Sequence, residues 1–425
     1  KNGSAADSPA TQTTTTPGGP WFTDVTKTVG VDVVHRASGA RGYFFPASMS
    51  PGAAWLDFDN DGDLDLVIAS GCHLPPGSAA AALEPQTADA TSNNAAAPSD
   101  STQKRSDTAT SDDDIIHLFR QRPDHTFEDV TRQFGLATPI YASGVAVGDI
   151  DNDGFVDLYV TGYGGDRLWR NRGGEKFEDV TESAGIDNRR WSTSAIIFDY
   201  DRDGRLDLFV TNYVDYDPSH PCYTTNGSQD FCNPVVFPRT ADKLYRNTSD
   251  EKSVRFEDTS LPSGVALQRG AGLGVVSGDF NSDGWPDVYV ANDGHANFLW
   301  INQRDGTFRE EGVLLGAAYD LLGKGQGSMG VAADDLNGDG TPDIFVTNLD
   351  GENNALYLSQ AGDGFAESSA KFGLSRPSYP FTGFGTTFLD VDRDGDLDLV
   401  VANGRVRRMV GTAAPASGKA PEKKS

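Results

Sequence analysis

Long apolar runs are missing from this chain. No stretch approaches the roughly 18 residues that a membrane-crossing helix requires, so a transmembrane segment is not expected. Basic charge is short: 35 Lys and Arg stand against 62 Asp and Glu, for a net charge of −27. Binding to a phosphate backbone needs clustered cations, which excludes nucleic acid as a partner. Cysteine occurs three times and histidine six, and no H-x-H or H-E-x-x-H pattern is present, so zinc chemistry is poorly supported. Cys222 and Cys232 sit ten apart in PCYTTNGSQDFCNP. That spacing suits a disulfide stapling a long loop, with two free thiols in a reducing compartment as the alternative. Cys72 is left over and reads as a buried small hydrophobe. The chain begins at Lys1 rather than Met, which fits a processed or shortened chain, and no signal peptide remains to be read.

Acidic residues are abundant and ordered. The pattern D-x-[DN]-x-D-G-x-x-D occurs six times. Each copy offers side-chain oxygens at positions 1, 3, 5 and 9 and a backbone carbonyl at position 7. The first has Asp57, Asp59, Asp61 and Asp65 with the carbonyl of Asp63. The second has Asp149, Asp151, Asp153 and Asp157 with Phe155. The third has Asp199, Asp201, Asp203 and Asp207 with Arg205. The fourth has Asp279, Asn281, Asp283 and Asp287 with Trp285. The fifth has Asp335, Asn337, Asp339 and Asp343 with Thr341. The sixth has Asp390, Asp392, Asp394 and Asp398 with Asp396. Hard oxygen donors in a short loop suit calcium, which takes six to eight oxygens in loose geometry. Up to six calcium sites are expected, and the two loops with Asn at position 3 carry less charge and should bind more weakly. Position 6 is Gly in every copy, as a loop wrapping an ion needs left-handed backbone there.

An EF-hand is excluded. It would need a bidentate Glu at position 12 and an exit into a helix. That position holds Ile68, Val160, Val210, Val290, Val346 and Val401, and the exits (LDLVIAS, VDLYVTG and their counterparts) are strand-like. Six acidic turns without a metal would leave four carboxylates repelling one another within nine residues. Six bound calcium ions would bring the net charge to about −15, which suits solubility in a calcium-rich medium.

The loops punctuate a repeat. Four strand-like segments recur in order: a first strand into the acidic loop (GVAVGDI, GVVSGDF), a second out of it, a third (HLFRQ, DRLWRN, DKLYRN, NFLWIN, NALYLS), and a fourth (FEDVT twice, FEDTS, FREEG, FAESS). A period near 50 with four strands per unit indicates an all-β chain, a β-propeller of four-stranded antiparallel blades. Six units are recognisable. FTDVT at 22–26 reads as a fourth strand with no unit before it, and the unit from Gly385 shows only two strands. An N-terminal strand completing the C-terminal blade would close a ring and remove exposed edges. The expected organisation is a disordered tether over 1–20, a calcium-binding propeller over 21–409 with insertions at 78–113 and 214–240, and a disordered tail over 410–425.

These loops, the LYRN-type third strands, the FEDVT fourth strands and the segment 191–216 resemble the FG-GAP/VCBS repeat family, in its cartilage-acidic-protein-like (CRTAC-type, ASPIC/UnbV-associated) branch. The resemblance covers residues 21–409. It implies a calcium-binding propeller akin to the head of integrin α subunits, seven-bladed by family against six units by count, in secreted, periplasmic or cell-surface proteins. The chain departs from the family where it ends in a Lys/Pro-rich tail after ANGRV, without a further blade or a C-terminal ASPIC/UnbV domain.

Catalytic signals are thin. Position in the repeat marks Tyr159, Phe209, Tyr289 and Phe345, and Trp169, Tyr245, Trp300 and Tyr357, as core rather than a sugar platform. The glycine clusters at 162–165, 270–274 and 323–330 precede or follow strands and open no helix, so they cradle no dinucleotide. Ser328 lacks a nucleophile elbow. His35 and His117 read as strand residues and His295 as a loop residue. Asn2, Asn226 and Asn247 head glycosylation sequons, meaningful in a eukaryotic source. The expected function is an extracellular calcium-stabilised scaffold that binds a protein or glycan. The alternatives are a propeller-fold polysaccharide lyase or hydrolase, and a structural subunit of an envelope complex in which a partner chain completes the propeller.

Overall fold

The computed structural model describes residues 22–33, 43–49, 51–70, 116–136, 140–250 and 252–406. The tether, the insertion at 78–113, the tail, Cys72, His35, His73 and Asn2 lie outside the described residues.

The architecture is all-β. The first sheet holds β1 (Ala53–Leu56), β2 (Asp65–Ala69), β3 (Ile116–Gln121) and β4 (Phe127–Asp129). The second holds β5 (Tyr141–Gly148), β6 (Asp157–Tyr163), β7 (Arg167–Asn171) and β8 (Phe177–Asp179). In the third, β9 (Ser192–Phe198) and β10 (Asp207–Asn212) are separated from β13 (Lys243–Asn247) and β14 (Phe256–Asp258) by a hairpin of β11 (Cys222–Tyr223) and β12 (Gln229–Asp230). The fourth holds β15 (Gly272–Gly278), β16 (Asp287–His295), β17 (Phe298–Asn302) and β18 (Phe308–Glu310), with β19 (Gln326–Gly327) added to the end of β16. The fifth holds β20 (Val331–Asp334), β21 (Asp343–Val346), β22 (Ala355–Ser359) and β23 (Phe365–Glu367). A sixth has two strands, β24 (Thr382–Leu389) and β25 (Asp398–Gly404). Strands within every sheet pair antiparallel, in chain order. Among the described residues no helix is long and apolar enough to cross a membrane.

The second strands of the second, third and fourth sheets are apolar on both faces because each sits between two cores. Leu158 and Val160 of β6 pack with Leu118 and Phe58 of the first unit, while Tyr159 packs with Leu208 and Tyr245 of the third. The same alternation continues: Phe209 and Leu244 meet Val288 and Trp300, and Tyr289 and Leu299 meet Ile344 and Tyr357. Period-two side-chain direction thus stacks the sheets face to face in sequence order. The first strands β1, β5, β9, β15, β20 and β24 each lie against the next in that order. The eight repeated aromatics are core residues, each no more than 2% exposed.

A latch links neighbouring sheets. The first residue of each fourth strand donates its N–H to a carbonyl in the turn that follows the preceding fourth strand. The bonds are Phe127 to Val29, Phe177 to Phe134, Phe256 to Ala184, Phe308 to Ser263 and Phe365 to Leu315, at 2.7 to 2.8 Å. The first of these places residues 22–31 where a fourth strand and its turn belong. FTDVT at 22–26 is nevertheless no strand among the described residues: residues 22–25 are irregular and 26–30 form a turn. A strand needs a ladder partner, and the described residues supply none to 22–26.

The insertion at 214–240 is built rather than loose. Cys222 and Cys232 form a disulfide across the β11–β12 hairpin. Phe44 and Phe45 pack edge-on against Tyr163, Trp191 and Tyr216, and Tyr216 packs on Phe237 of the insertion. The Phe45 N–H donates to the Tyr216 hydroxyl at 3.2 Å.

Candidate metal centre

The six acidic loops share one hydrogen-bond scaffold. In each, the position 1 carboxylate accepts from the N–H of position 5 on one oxygen and of position 6 on the other. The distances are 3.1 and 3.0 Å at Asp57, 3.0 and 2.8 at Asp149, 3.1 and 3.0 at Asp199, 2.9 and 2.7 at Asp279, 3.1 and 2.8 at Asp335, and 3.1 and 3.0 at Asp390. The position 5 carboxylate accepts from the N–H of position 7 in every loop, at 2.9 to 3.0 Å. Position 6 glycines have φ between +84° and +96°, and an added Cβ at Gly62 or Gly154 would meet no atom. Glycine is there for backbone conformation, not space.

Position 4 is left-handed as well. Asn60, Asn152, Arg202, Ser282 and Arg393 have φ near +60°, and Gly338 +74°. From this position side chains reach the next loop. Asn60 donates to the Gly154 carbonyl at 2.8 Å and Asn152 to that of Gly204 at 3.1 Å. Arg202 lies over the Trp285 ring, and Ser282 shares a hydrogen bond with Thr341 at 2.6 Å.

Asp398 of loop six is exposed, whereas position 9 is buried at the root of loops one to five. Its Oδ2 accepts from the N–H of position 2 and its Oδ1 from the third strand. Asp157 takes Ile150 and Asn171, Asp207 takes Tyr200 and Asn247, and Asp287 takes Phe280 and Asn302. Burial, and then neighbouring loop carboxylates, push these carboxyls up: Asp65 to about 6, Asp157 to about 8, Asp207 and Asp287 to about 7. Asp59 and Asp151 are raised for the same reasons. A divalent cation would reverse that trend.

Carboxylate oxygens come within 4.8 Å of one another in four sets: Asp57, Asp59 and Asp61; Asp149, Asp151 and Asp157; Asp199, Asp201 and Asp203; and Asp390, Asp392 and Asp398. Loops four and five place Asn281 and Asn337 at position 3, so their third oxygen is an amide. The donor set fits a hard cation, and Asp59 Oδ1 and Asp151 Oδ1 are buried with no hydrogen-bond donor. Position 7 residues offer carbonyls, and in loop three the Arg205 side chain also pairs with the Asp203 carboxylate.

Two groups of residues around the loops escape the motif. Asn171, Asn247 and Asn302 end their third strands fully buried. Each donates through Nδ2 to two carbonyls, one in its own loop and one in the loop before: Asn171 to Val156 and Phe58, Asn247 to Leu206 and Ile150, Asn302 to Pro286 and Tyr200. Asn247 is therefore no glycan acceptor, because its amide nitrogen is buried and occupied; Asn226 is exposed. The repeated Asn in LWRN, LYRN and LWIN was the available signal. The second group is the arginines Arg170, Arg246 and Arg304, which reach loop carboxylates.

The described histidines stand on separate elements. His117 is beside Asp129 at 3.3 Å, His125 is in a hairpin, and His220 packs on Phe237. His295 ends β16, where burial and then Arg239 lower its pKa.

The FG-GAP-like repeat model matches residues 104–160, 149–210, 279–346 and 335–401. Cartilage acidic protein 1 of Homo sapiens is 26% identical over 269 residues, covering 61% of this chain and 39% of its own length. Its Mus musculus counterpart is 32% identical over 148 residues, 34% of this chain and 21% of its own. The chain thus spans less than half the length of the curated relatives it matches. Among solved structures, Bacillus licheniformis rhamnogalacturonan lyase aligns with a TM-score of 0.38 at 11% identity, over 87% of this chain and 58% of that one.

Proposed function

The chain belongs to the FG-GAP-like repeat family, and on that premise we propose that it is an extracellular calcium-stabilised β-propeller that acts as a binding scaffold. The observation that carries this reading is the recurrence of one hydrogen-bond scaffold in all six loops, with carboxylate oxygens gathered within 4.8 Å of one another in four of them. The residues that would hold calcium are the position 1, 3, 5 and 9 side chains and the position 7 carbonyls. The ion would offset carboxylate repulsion and pin the turn between first and second strands.

The body over 21–409 carries the blades. Its sixth sheet has two strands among the described residues, and on this reading residues 22–24 would act as a fourth, with the strand between them supplied by chain beyond β25 or by a partner. The disulfide supports an oxidising setting, in the periplasm, at the cell surface or in secretion. The ligand is a protein or a glycan, met by loop surfaces and by the insertion at 214–240.

The test is metal removal. Chelation should lower the thermal midpoint and open the six loops to protease, with calcium restoring both. An unchanged midpoint after complete demetallation would overturn the structural role. The scaffold reading is checked by passing the immobilised, calcium-loaded protein over glycan and secreted-protein panels. Turnover of any retained polysaccharide would replace it with the enzyme reading.

A further inference from the structure

The third strands carry arginine where they pass the acidic loops. Arg170 of β7 pairs through Nε with Asp151 and through Nη2 with Asp153 at 3.3 Å. Arg246 of β13 pairs through Nε with Asp201 at 2.7 Å and through Nη2 with Asp203 at 3.3 Å. In both loops these are positions 3 and 5. Ile301 stands at the equivalent place in β17, and there Arg304 reaches Asp283 at 2.9 Å from the following hairpin. Leu358 holds that place in β22. Among the described residues, the carboxylates of loops five and six have no ion pair.

The arginine does not fill the metal position. Asp151 is 6% exposed at its side chain, and its Oδ1 remains buried without a donor while Oδ2 faces Arg170. A guanidinium cannot lose its proton in a protein, so its charge is permanent. Without metal it offsets repulsion between positions 3 and 5; with metal it stands as a like charge beside the ion.

We infer that these arginines are built-in counter-cations that sort loops two to six into two classes; at loop one the equivalent Arg120 pairs with Glu128 at 3.5 Å. Loops two, three and four keep their shape without metal and bind calcium more weakly. Loops five and six rely on the ion and bind it more tightly than loops of equal ligand charge that hold an arginine, so the all-carboxylate sixth loop outranks the second and third, and loop five, with Asn337, outranks loop four, with Asn281. This rests on the calcium reading above.

Bound ions are counted by native mass spectrometry across a series of free calcium concentrations, with protease cleavage in chelator as the second readout. In the R170M/R246M double variant, two ions should bind at roughly tenfold lower free calcium, because a unit charge a few ångströms away has gone. In chelator, cleavage within 149–157 and 199–207 should become faster than in the parent. L358R should do the reverse for one ion, weakening it roughly tenfold, and should slow cleavage within 335–343. If the double variant fails to fold even in calcium, L358R decides alone. Ions bound at concentrations that none of the substitutions shifts would overturn the inference and leave the calcium reading standing. No bound ions in any form would remove the calcium reading itself.

Discussion

At the residue scale, hydrogen-bond capacity decides which polar side chains are replaceable. Asp242 and Asp166 occupy the same register, at the start of the third strand, and both are buried. Asp166 accepts from Tyr159, Asn188, Gly162 and Ser192, four donors that only a carboxylate can take together. Asp242 accepts from the Asn212 N–H at 2.9 Å. Asn297 and Asn354 perform that task in the next two sheets with an amide. Burial pushes the Asp242 carboxyl up to about 7, so the folded state keeps a proton that the unfolded chain releases near pH 4. Its contribution is therefore favourable at low pH and lost as pH rises toward 7. D242N should stabilise the fold at pH 8 by on the order of 1–3 kcal/mol, read as a higher thermal midpoint, and the gain should vanish near pH 4. D166N should destabilise at both. Melting curves of the parent and both variants across that range check the pair.

The interloop asparagines belong to the same scale. N247A would strand two buried carbonyls and should cost roughly 1–3 kcal/mol in denaturant unfolding, whereas N226A, at an exposed position, should cost nothing measurable. The six acidic loops were legible in the sequence because chemistry and spacing coincide in them. The left-handed position 4 was not, because Arg202, Ser282 and Arg393 carry no conformational signature; the closed loop imposes that backbone on them. The buried Asn247 was misread as an acceptor sequon because a sequon carries no information about burial.

At the scale of elements, the strands were readable because each repeat confirms the others. Weak signals such as FREEG and FAESS gain force from FEDVT, and both are strands, β18 and β23. FTDVT has the same letters and is not a strand, because ladder pairing is supplied by a neighbour. The insertion at 214–240 was legible as a stapled loop, but its seat was not. Nothing in the pattern of YFFPAS at 43–48 announces that Phe44 and Phe45 dock on Trp191 and Tyr216, residues far along the chain. That seat predicts how the disulfide acts. Closing a ten-residue separation should contribute about 2–3 kcal/mol through the unfolded hairpin. The aromatic seat holds Phe237 independently. C222S/C232S should therefore expose the hairpin to protease between Tyr223 and Phe231 while leaving hydrogen exchange at Trp191 and Tyr213 unchanged. Loss of protection at both places would show that the staple, rather than the aromatic packing, organises this face.

At the scale of the whole molecule, the sheets form a series in which each loop is tied to its neighbours. Loop two is held on both sides: it receives Asn60 from loop one, sends Asn152 to loop three, and its Ile150 carbonyl is claimed by Asn247 of the third sheet. Beyond loop six the described residues supply no further sheet, and β24 and β25 pair only with each other. The same lesion should therefore spread differently at the two places. D153A removes the acceptor of the Phe155 N–H and one of the carboxylates that Arg170 faces. It should raise hydrogen exchange in loops one, two and three together and lower the midpoint of the main unfolding transition by several degrees, as a loss of a few kcal/mol does in a chain of this size. D394A removes the matching acceptor of the Asp396 N–H, yet should raise exchange within β24 and β25 and leave the main midpoint nearly fixed. Equal spread from both substitutions would mean that the contacts between first strands, and not the asparagine ties along the loop face, carry the cooperativity of the stack.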